Sequence, residues 1–139
     1  MGRLALFALI LLAGLVLWWQ QSDPDQLLPS SASPAATESL VVRGVEVRDL
    51  DGRIAWRGDV DLGPVLARIE AGERDPHRND GSIFQNREGH LPQRPRGHYR
   101  EYVVRTPGIR HAGPQRLILG ADGEIYYTAD HYRSFQRLR

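Results

Sequence analysis

The chain has 139 residues, 41% hydrophobic and 25% charged, which leaves room for one folded domain plus an extension and excludes two full domains. It has no cysteine, so a disulfide framework, a thiolate nucleophile and a cysteine metal site are all excluded. The net charge of +1 hides a division, because residues 1–80 carry eight Arg against twelve acidic residues while residues 81–139 carry ten Arg against five. Every basic residue is Arg, which suits bidentate phosphate contacts, but a bias of the source genome explains it as simply.

Residues 4–19 are an uninterrupted apolar and glycine run with only Arg3 before it. That length lies between a signal-peptide core and a full span. Trp18-Trp19-Gln20-Gln21 follows instead of a small-x-small cleavage site, and paired Trp favours a retained anchor. No Lys or Arg occurs from 4 to 42, so the positive-inside rule expects the body of the protein outside the cytoplasm, periplasmic or extracellular and tethered to the inner membrane if the anchor stays. Residues 1–21 are therefore expected to be a signal peptide or membrane anchor. Residues 22–39, rich in Gln, Ser, Pro and Ala, are expected to be a flexible linker, leaving 40–139 as the folded domain.

From Leu40 the pattern alternates: Val41, Val45 and Val47, then Asp51-Gly52, then Ile54 and Trp56. This predicts a hairpin over 41–57 with a type I′ turn at Asp51-Gly52. Asp61 is expected to cap a helix over 62–71, with Leu62, Val65, Leu66 and Ile69 on one face and Gly72 as its stop. Strands are expected at 82–84, 99–104, 116–119, 124–127 and 132–138, with a second hairpin turn at Asp122-Gly123. A helix followed by consecutive short strands points to an α+β fold: an N-terminal helix packed on a twisted antiparallel β-sheet, preceded by the hydrophobic signal or anchor segment. His77, His90, His98 and His111 lie in loop-like or strand-edge contexts without a metal-ligand pattern, and are read as surface residues.

Three stretches carry chemistry: Asn79-Asp80-Gly81-Ser82-Ile83-Phe84-Gln85-Asn86-Arg87-Glu88, His98-Tyr99-Arg100-Glu101-Tyr102, and Tyr126-Tyr127-Thr128-Ala129-Asp130-His131-Tyr132-Arg133-Ser134-Phe135. In order and spacing they resemble the barnase-type guanyl-specific microbial ribonucleases, over roughly residues 60–139. The resemblance implies the microbial ribonuclease fold and an endoribonuclease that cleaves single-stranded RNA 3′ of guanosine through a 2′,3′-cyclic phosphate.

Cleavage of RNA by its own 2′-hydroxyl needs a base, an acid for the departing 5′-oxygen and cations for the charge on phosphorus, and it requires no metal or other cofactor. By resemblance Glu101 is the general base and His131 the general acid. Phosphate stabilisation departs from the family pattern of two Arg four residues apart: the second is Arg116, but Ala112 stands where the first belongs, and Arg110 or Arg87 is the substitute. Tyr132 resembles the family's phosphate-bonding tyrosine, and His98 takes an aromatic position that would stack near the substrate.

Guanine alone presents adjacent N1 and N2 hydrogens that one carboxylate can accept together, while backbone NH groups donate to O6. The resemblance assigns the carboxylate to Glu88, the NH donors to Gln85, Asn86 and Arg87, and the wall to Phe84. It also implies a monomer acting on single-stranded RNA and restrained, by analogy, by a small acidic barstar-like inhibitor drawn to the cationic cleft. Two other readings compete: an RNA- or protein-binding module whose catalysis has weakened with Ala112, and a structural periplasmic domain, which leaves the spacing of Glu101, Arg116 and His131 unexplained.

Overall fold

The computed structural model describes residues 40–139, and the expected anchor and linker lie outside the described residues. Strands β1 (Val41–Arg48) and β2 (Ile54–Asp61) form an antiparallel hairpin longer than the sequence suggested. Its turn is not type I′: of the two turn residues only Gly52 has a positive φ, 81°, and the Asp49 NH donates to the Arg53 carbonyl to close a three-residue loop, inside which the Gly52 NH donates to the Asp49 carbonyl. This is a type I turn followed by a left-handed glycine, which leaves Asp51 in an ordinary conformation. The apolar phase also differs. An extra residue at Gly44 (φ 63°) bulges β1 between Val42 and Val45, so Val42, not Val41, joins Val45 and Val47 in the core.

Helix α1 (Gly63–Glu70) has Leu62 at its N-cap position and Pro64 in its first turn. Asp61 sits one residue further out than expected, its carboxylate accepting from the Gly63 NH at 2.9 Å. The C-terminus is as the sequence suggested: left-handed Gly72 lets its own NH reach the Ile69 carbonyl and the Glu73 NH reach that of Arg68, a Schellman closure.

The second sheet is an antiparallel meander of β3 (Ser82–Ile83), β4 (Tyr99–Val103), β5 (Arg116–Gly120), β6 (Ile125–Thr128) and β7 (Gln136–Arg137), hydrogen-bonded in that order. The expected strand over 132–138 shrinks to β7, because His131 and Tyr132 take positive φ and break the extended chain.

Alternation sorts the sheet into two faces. Leu117, Ile125 and Tyr127 pack with Val42, Val45, Val47 and Val60 of the hairpin and with Val65, Leu66 and Ile69 of α1. Each aliphatic side chain buried there contributes about 1.5–3 kcal/mol. The opposite face carries Tyr99, Ile118 and Tyr126 beneath Phe84, Tyr132 and Phe135. Glu101 pairs in register with Ile118 and so shares that second face, as does Arg116 two residues before Ile118.

Asp80, 1% exposed, ties the segment entering β3 to the rest. Its carboxylate accepts from Arg68 at 2.7 and 3.2 Å and from the NH groups of Val103 and Asp75 at 2.8 and 2.9 Å. Burial opposes its ionisation, but these four bonds outweigh it and hold its pKa below the ordinary value.

Candidate active site

Glu101 is 7% exposed on β4, between β3 and β5, and its two oxygens are differently engaged. Oε1 accepts from the Ser82 hydroxyl at 3.3 Å across the β3–β4 pair, and Oε2 accepts from the Tyr132 hydroxyl. Arg116 Nε lies 3.9 Å from the same Oε2. The Arg116 side chain is almost fully buried, held at Nη1 by the carbonyls of Gly113 (2.8 Å) and Gln115 (2.7 Å). Its Nε is a buried donor without a hydrogen-bond partner among the described residues. Such an orphan is expensive, and its place beside a carboxylate suits an incoming anion.

Residues 84–88 and Glu101 line one cavity of about 330 Å³, with Tyr132, Asn79 and His90. Phe84 continues the β3–β4 pairing through its NH to the Tyr99 carbonyl, 3.0 Å, and its ring stacks on Tyr132 at 5.5 Å between centroids. The chain then turns through Asn86, which adopts φ 47°. Asn tolerates this conformation better than most residues. Its side-chain amide clamps both ends of the loop, donating to the Leu91 carbonyl at 2.8 Å and accepting from the Leu91 NH at 3.0 Å. The NH groups of Gln85, Asn86, Arg87 and Glu88 have no acceptor among the described residues. Glu88 is exposed, with His90 Nε2 at 3.3 Å from its carboxylate. The loop therefore offers a row of free NH donors beside a carboxylate acceptor, the complement of a planar base edge with both hydrogens and a carbonyl.

His131 and Tyr132 are consecutive left-handed residues, φ 57° and 70°, a strained pair for side-chain-bearing residues. Their surroundings enforce it. The His131 NH donates to the Pro114 carbonyl and the Tyr132 NH to Thr128 Oγ1, each at 3.2 Å. Asp130 binds the turn together, accepting from Thr128 Oγ1 at 2.8 Å, from the Ser134 NH at 2.9 Å and from Ser134 Oγ at 2.6 Å. The result divides two neighbours: Tyr132 faces the cavity of Glu101, while His131, exposed and 4.8 Å from the Tyr132 ring, lines the adjoining cavity. Burial first, and then the bond to Glu101, pushes the Tyr132 phenol up to about 12.

The structure thus brings Glu101, Tyr132, Phe84, Gln85, Asn86, Arg87 and Glu88 around one cavity, sets Arg116 against Glu101, and puts His131 next door. Arg110 is exposed and lines neither cavity, and its guanidinium has no partner among the described residues. Arg87 lines the cavity and donates to Gln85 Oε1 at 2.9 Å.

The Tyr132 hydroxyl donates to Glu101. One sequence expectation changes. His98, expected at the surface near the substrate, is largely buried against Glu124 at 3.1 Å, with its ring edge-on to Tyr99. His98, Asp122 and Glu124 have ligand atoms close enough to share an ion, but Arg94, 3.4 Å from Glu124, already supplies the positive charge there. Sequence reasoning missed Ser82 and His90. Ser82 stands directly opposite Glu101 in the register, and His90 two residues beyond Glu88.

The ribonuclease family model matches residues 64–139, more than half of the chain. The chain belongs to the ribonuclease family. Among its relatives, guanyl-specific ribonuclease St of Saccharopolyspora erythraea is 47% identical over 68 residues, 49% of this chain and 67% of that protein. Guanyl-specific ribonuclease Sa3 of Kitasatospora aureofaciens is 51% identical over 75 residues, 53% of each chain, so the similarity spans about half to two thirds of these relatives. Among solved structures, ribonuclease Sa2 in complexes with mononucleotides shares 39% identity at a TM-score of 0.51, covering 55% of this chain and 79% of that one. Ribonuclease Sa2 with guanosine-2'-cyclophosphate gives a TM-score of 0.50, with 55% and 81% covered. The antiparallel meander with the one helix of the described residues is thus the ribonuclease fold, and the β1–β2 hairpin precedes the segment the family matches.

Proposed function

We propose that the protein is a guanyl-preferring endoribonuclease that cleaves single-stranded RNA 3′ of guanosine by general acid–base catalysis without a metal. The observation that carries this is the sharing of one cavity by Glu101 and the 84–88 loop, with the Arg116 guanidinium against the same carboxylate. In the first step Glu101 takes the 2′-hydroxyl proton, the 2′-oxygen bonds to phosphorus, and the P–O5′ bond breaks as His131 gives its proton to O5′. In the second, His131 takes a proton from water, whose oxygen attacks the cyclic phosphate, and Glu101 returns its proton to O2′ as the P–O2′ bond opens.

Arg116 holds the equatorial oxygens. The second cation comes from Arg110 or from Arg87 at the rim, which takes the work of the Arg that Ala112 lacks. Glu88 accepts the N1 and N2 hydrogens of guanine, the loop NH groups donate to O6, and Phe84 and Tyr132 form the wall. The protein acts as a monomer, exported and tethered through residues 4–19, and a small acidic inhibitor would fit the same cationic face.

The test is cleavage of the dinucleotide GpU by the protein. Activity lost in Glu101→Ala and in His131→Ala supports the enzyme. RNA retained without cleavage supports instead the weakened binding module, which Ala112 and the remote Arg110 would favour.

A further inference from the structure

Between β4 and β5 the chain crosses residues 104–115 without regular structure, and the end of this crossing aims two residues of the site. The Gly113 carbonyl holds Arg116 Nη1 at 2.8 Å, and the Pro114 carbonyl accepts the His131 NH at 3.2 Å. The cation beside Glu101 and the turn that presents His131 are thus both held by neighbouring peptide groups, which must themselves be fixed. Ala112, Gly113 and Pro114 have no polar side chain, which leaves His111 as the one polar anchor that residues 111–114 carry.

His111 is engaged at both ring nitrogens. Nδ1 accepts from the Gly113 NH at 3.1 Å, so the neutral ring carries its proton on Nε2. That Nε2 lies 3.2 Å from Asp49 Oδ1, on the turn of the β1–β2 hairpin, and the same turn lines the cavity beside His131. Asp49 is a fixed point, because the same oxygen accepts the Leu50 NH at 2.7 Å and the Asp49 NH closes the turn on the Arg53 carbonyl. Among the described residues, the Asp49 contact is the one hydrogen bond or ion pair that joins 111–114 to another element, apart from those to Arg116 and His131. His111 lies inside the family-matched segment, residues 64–139, and Asp49 lies before it.

We propose that Asp49 and His111 are a positioning pair, through which the hairpin turn holds residues 111–114 in the conformation that aims Arg116 and His131. The inference rests on the reading of Arg116 as the phosphate cation and His131 as the acid. Neither Asp49 nor His111 touches the reacting atoms; both act through the Gly113 and Pro114 carbonyls. Small displacements of aligned groups lower rates steeply, so a link too weak to matter for folding is read in turnover. Both side chains are half-exposed, and truncating either leaves the core untouched.

The experiment assays the full protein on GpU, with circular dichroism confirming that each variant is folded at the assay temperature. Asp49→Ala and His111→Ala should each lower kcat by about five- to tenfold and leave KM within about twofold. The double variant should fall no further than either single, since each cuts the same link. Asp49→Asn keeps the Oδ1 acceptor and should recover kcat to within about threefold of the unaltered protein. Asp51→Ala, in the same turn but with its carboxylate bonded only to Arg53 among the described residues, should leave kcat unchanged. Hydrogen exchange of the His131 amide gives a readout that needs no turnover: its rate should rise by about tenfold in both single variants and stay constant in Asp51→Ala. Unchanged kcat in folded Asp49→Ala, additive losses in the double variant, an equal loss in Asp51→Ala or an unchanged His131 exchange rate overturns the inference. Absence of cleavage by the unaltered protein overturns the nuclease reading instead, and the exchange rates then decide by themselves whether the pair holds the turn.

Discussion

The Tyr132 hydroxyl donates to Glu101 Oε2 across 31 residues of sequence, and Arg116 Nε approaches the same oxygen at 3.9 Å. One carboxylate oxygen is thereby bonded by the phenol and faced by the guanidinium, while its partner oxygen meets only the longer Ser82 contact. Orientation of Glu101 thus depends on the strained turn that presents Tyr132.

Tyr132→Phe keeps the ring stacked on Phe84 and removes only the donor. Loss of a hydrogen bond to a charged group costs about 1.5–3 kcal/mol. We expect kcat/KM on GpU to fall by roughly ten- to a hundredfold, measured by steady-state cleavage. A pH effect follows from the raised phenol. The bond's contribution to stability is complete below the unfolded value near 10 and is lost as pH rises through the folded value of about 12. Chemical denaturation should show an alkaline decline over that window that is shallower in Tyr132→Phe.

Arg116→Ala should lower kcat on GpU by about a hundredfold to a thousandfold, the size seen when a preorganised donor to a developing oxyanion is removed. Arg116→Lys should not restore it, since a single ammonium cannot both bond the Gly113 and Gln115 carbonyls and face the phosphate. Arg87→Ala and Arg110→Ala identify the second cation. Lining of the cavity by Arg87 favours a drop of about tenfold or more there and little change for Arg110→Ala.

Glu88→Gln should reduce kcat/KM on GpU by roughly a hundredfold or more and leave ApU nearly unchanged. A neutral amide presents a donor where guanine also has donors. Parallel kinetics on the two dinucleotides read the specificity directly. Equal losses on both would assign Glu88 to the fold and not to the base.

Asp80→Ala leaves the Val103 NH without its acceptor and the Arg68 guanidinium with only the Val103 carbonyl. Breaking such a buried pair costs about 3–5 kcal/mol, and urea unfolding should show a loss of that order. Because the Asp80 pKa is depressed in the folded state, its stabilisation is present above the ordinary carboxylate value of 3.8 and fades as pH falls below it. The unaltered protein should therefore lose stability below about pH 4 more steeply than the variant.

The legibility of the fold varied with the reach of its causes. Gly72, the places of the two Asp-Gly turns and most strand positions are fixed by neighbouring residues and could be read locally, though not the type of the first turn. The phase of β1 could not, because the Gly44 bulge is stabilised by Asp59 across the hairpin, whose carboxylate accepts the Gly44 NH at 2.8 Å. Nor could the start of the last strand: Tyr132 looks like a strand residue, and only the Asp130 cluster and the Pro114 carbonyl force the His131-Tyr132 pair left-handed. At the site, Glu101 and the 84–88 loop were legible as motifs. Ser82 was not, since its contact depends on register, and neither was the hairpin wall beside His131, which only tertiary packing places there.

The central claim is that Glu101 and His131 cut RNA after guanosine by proton transfer alone. Its most direct test is product analysis of a short mixed-sequence RNA incubated with the protein in the presence of EDTA. The account predicts 2′,3′-cyclic phosphate ends immediately after G, converting slowly to 3′-phosphates, at a rate the chelator does not change. Products with 5′-phosphate ends, cleavage without base preference, or activity abolished by EDTA would contradict it.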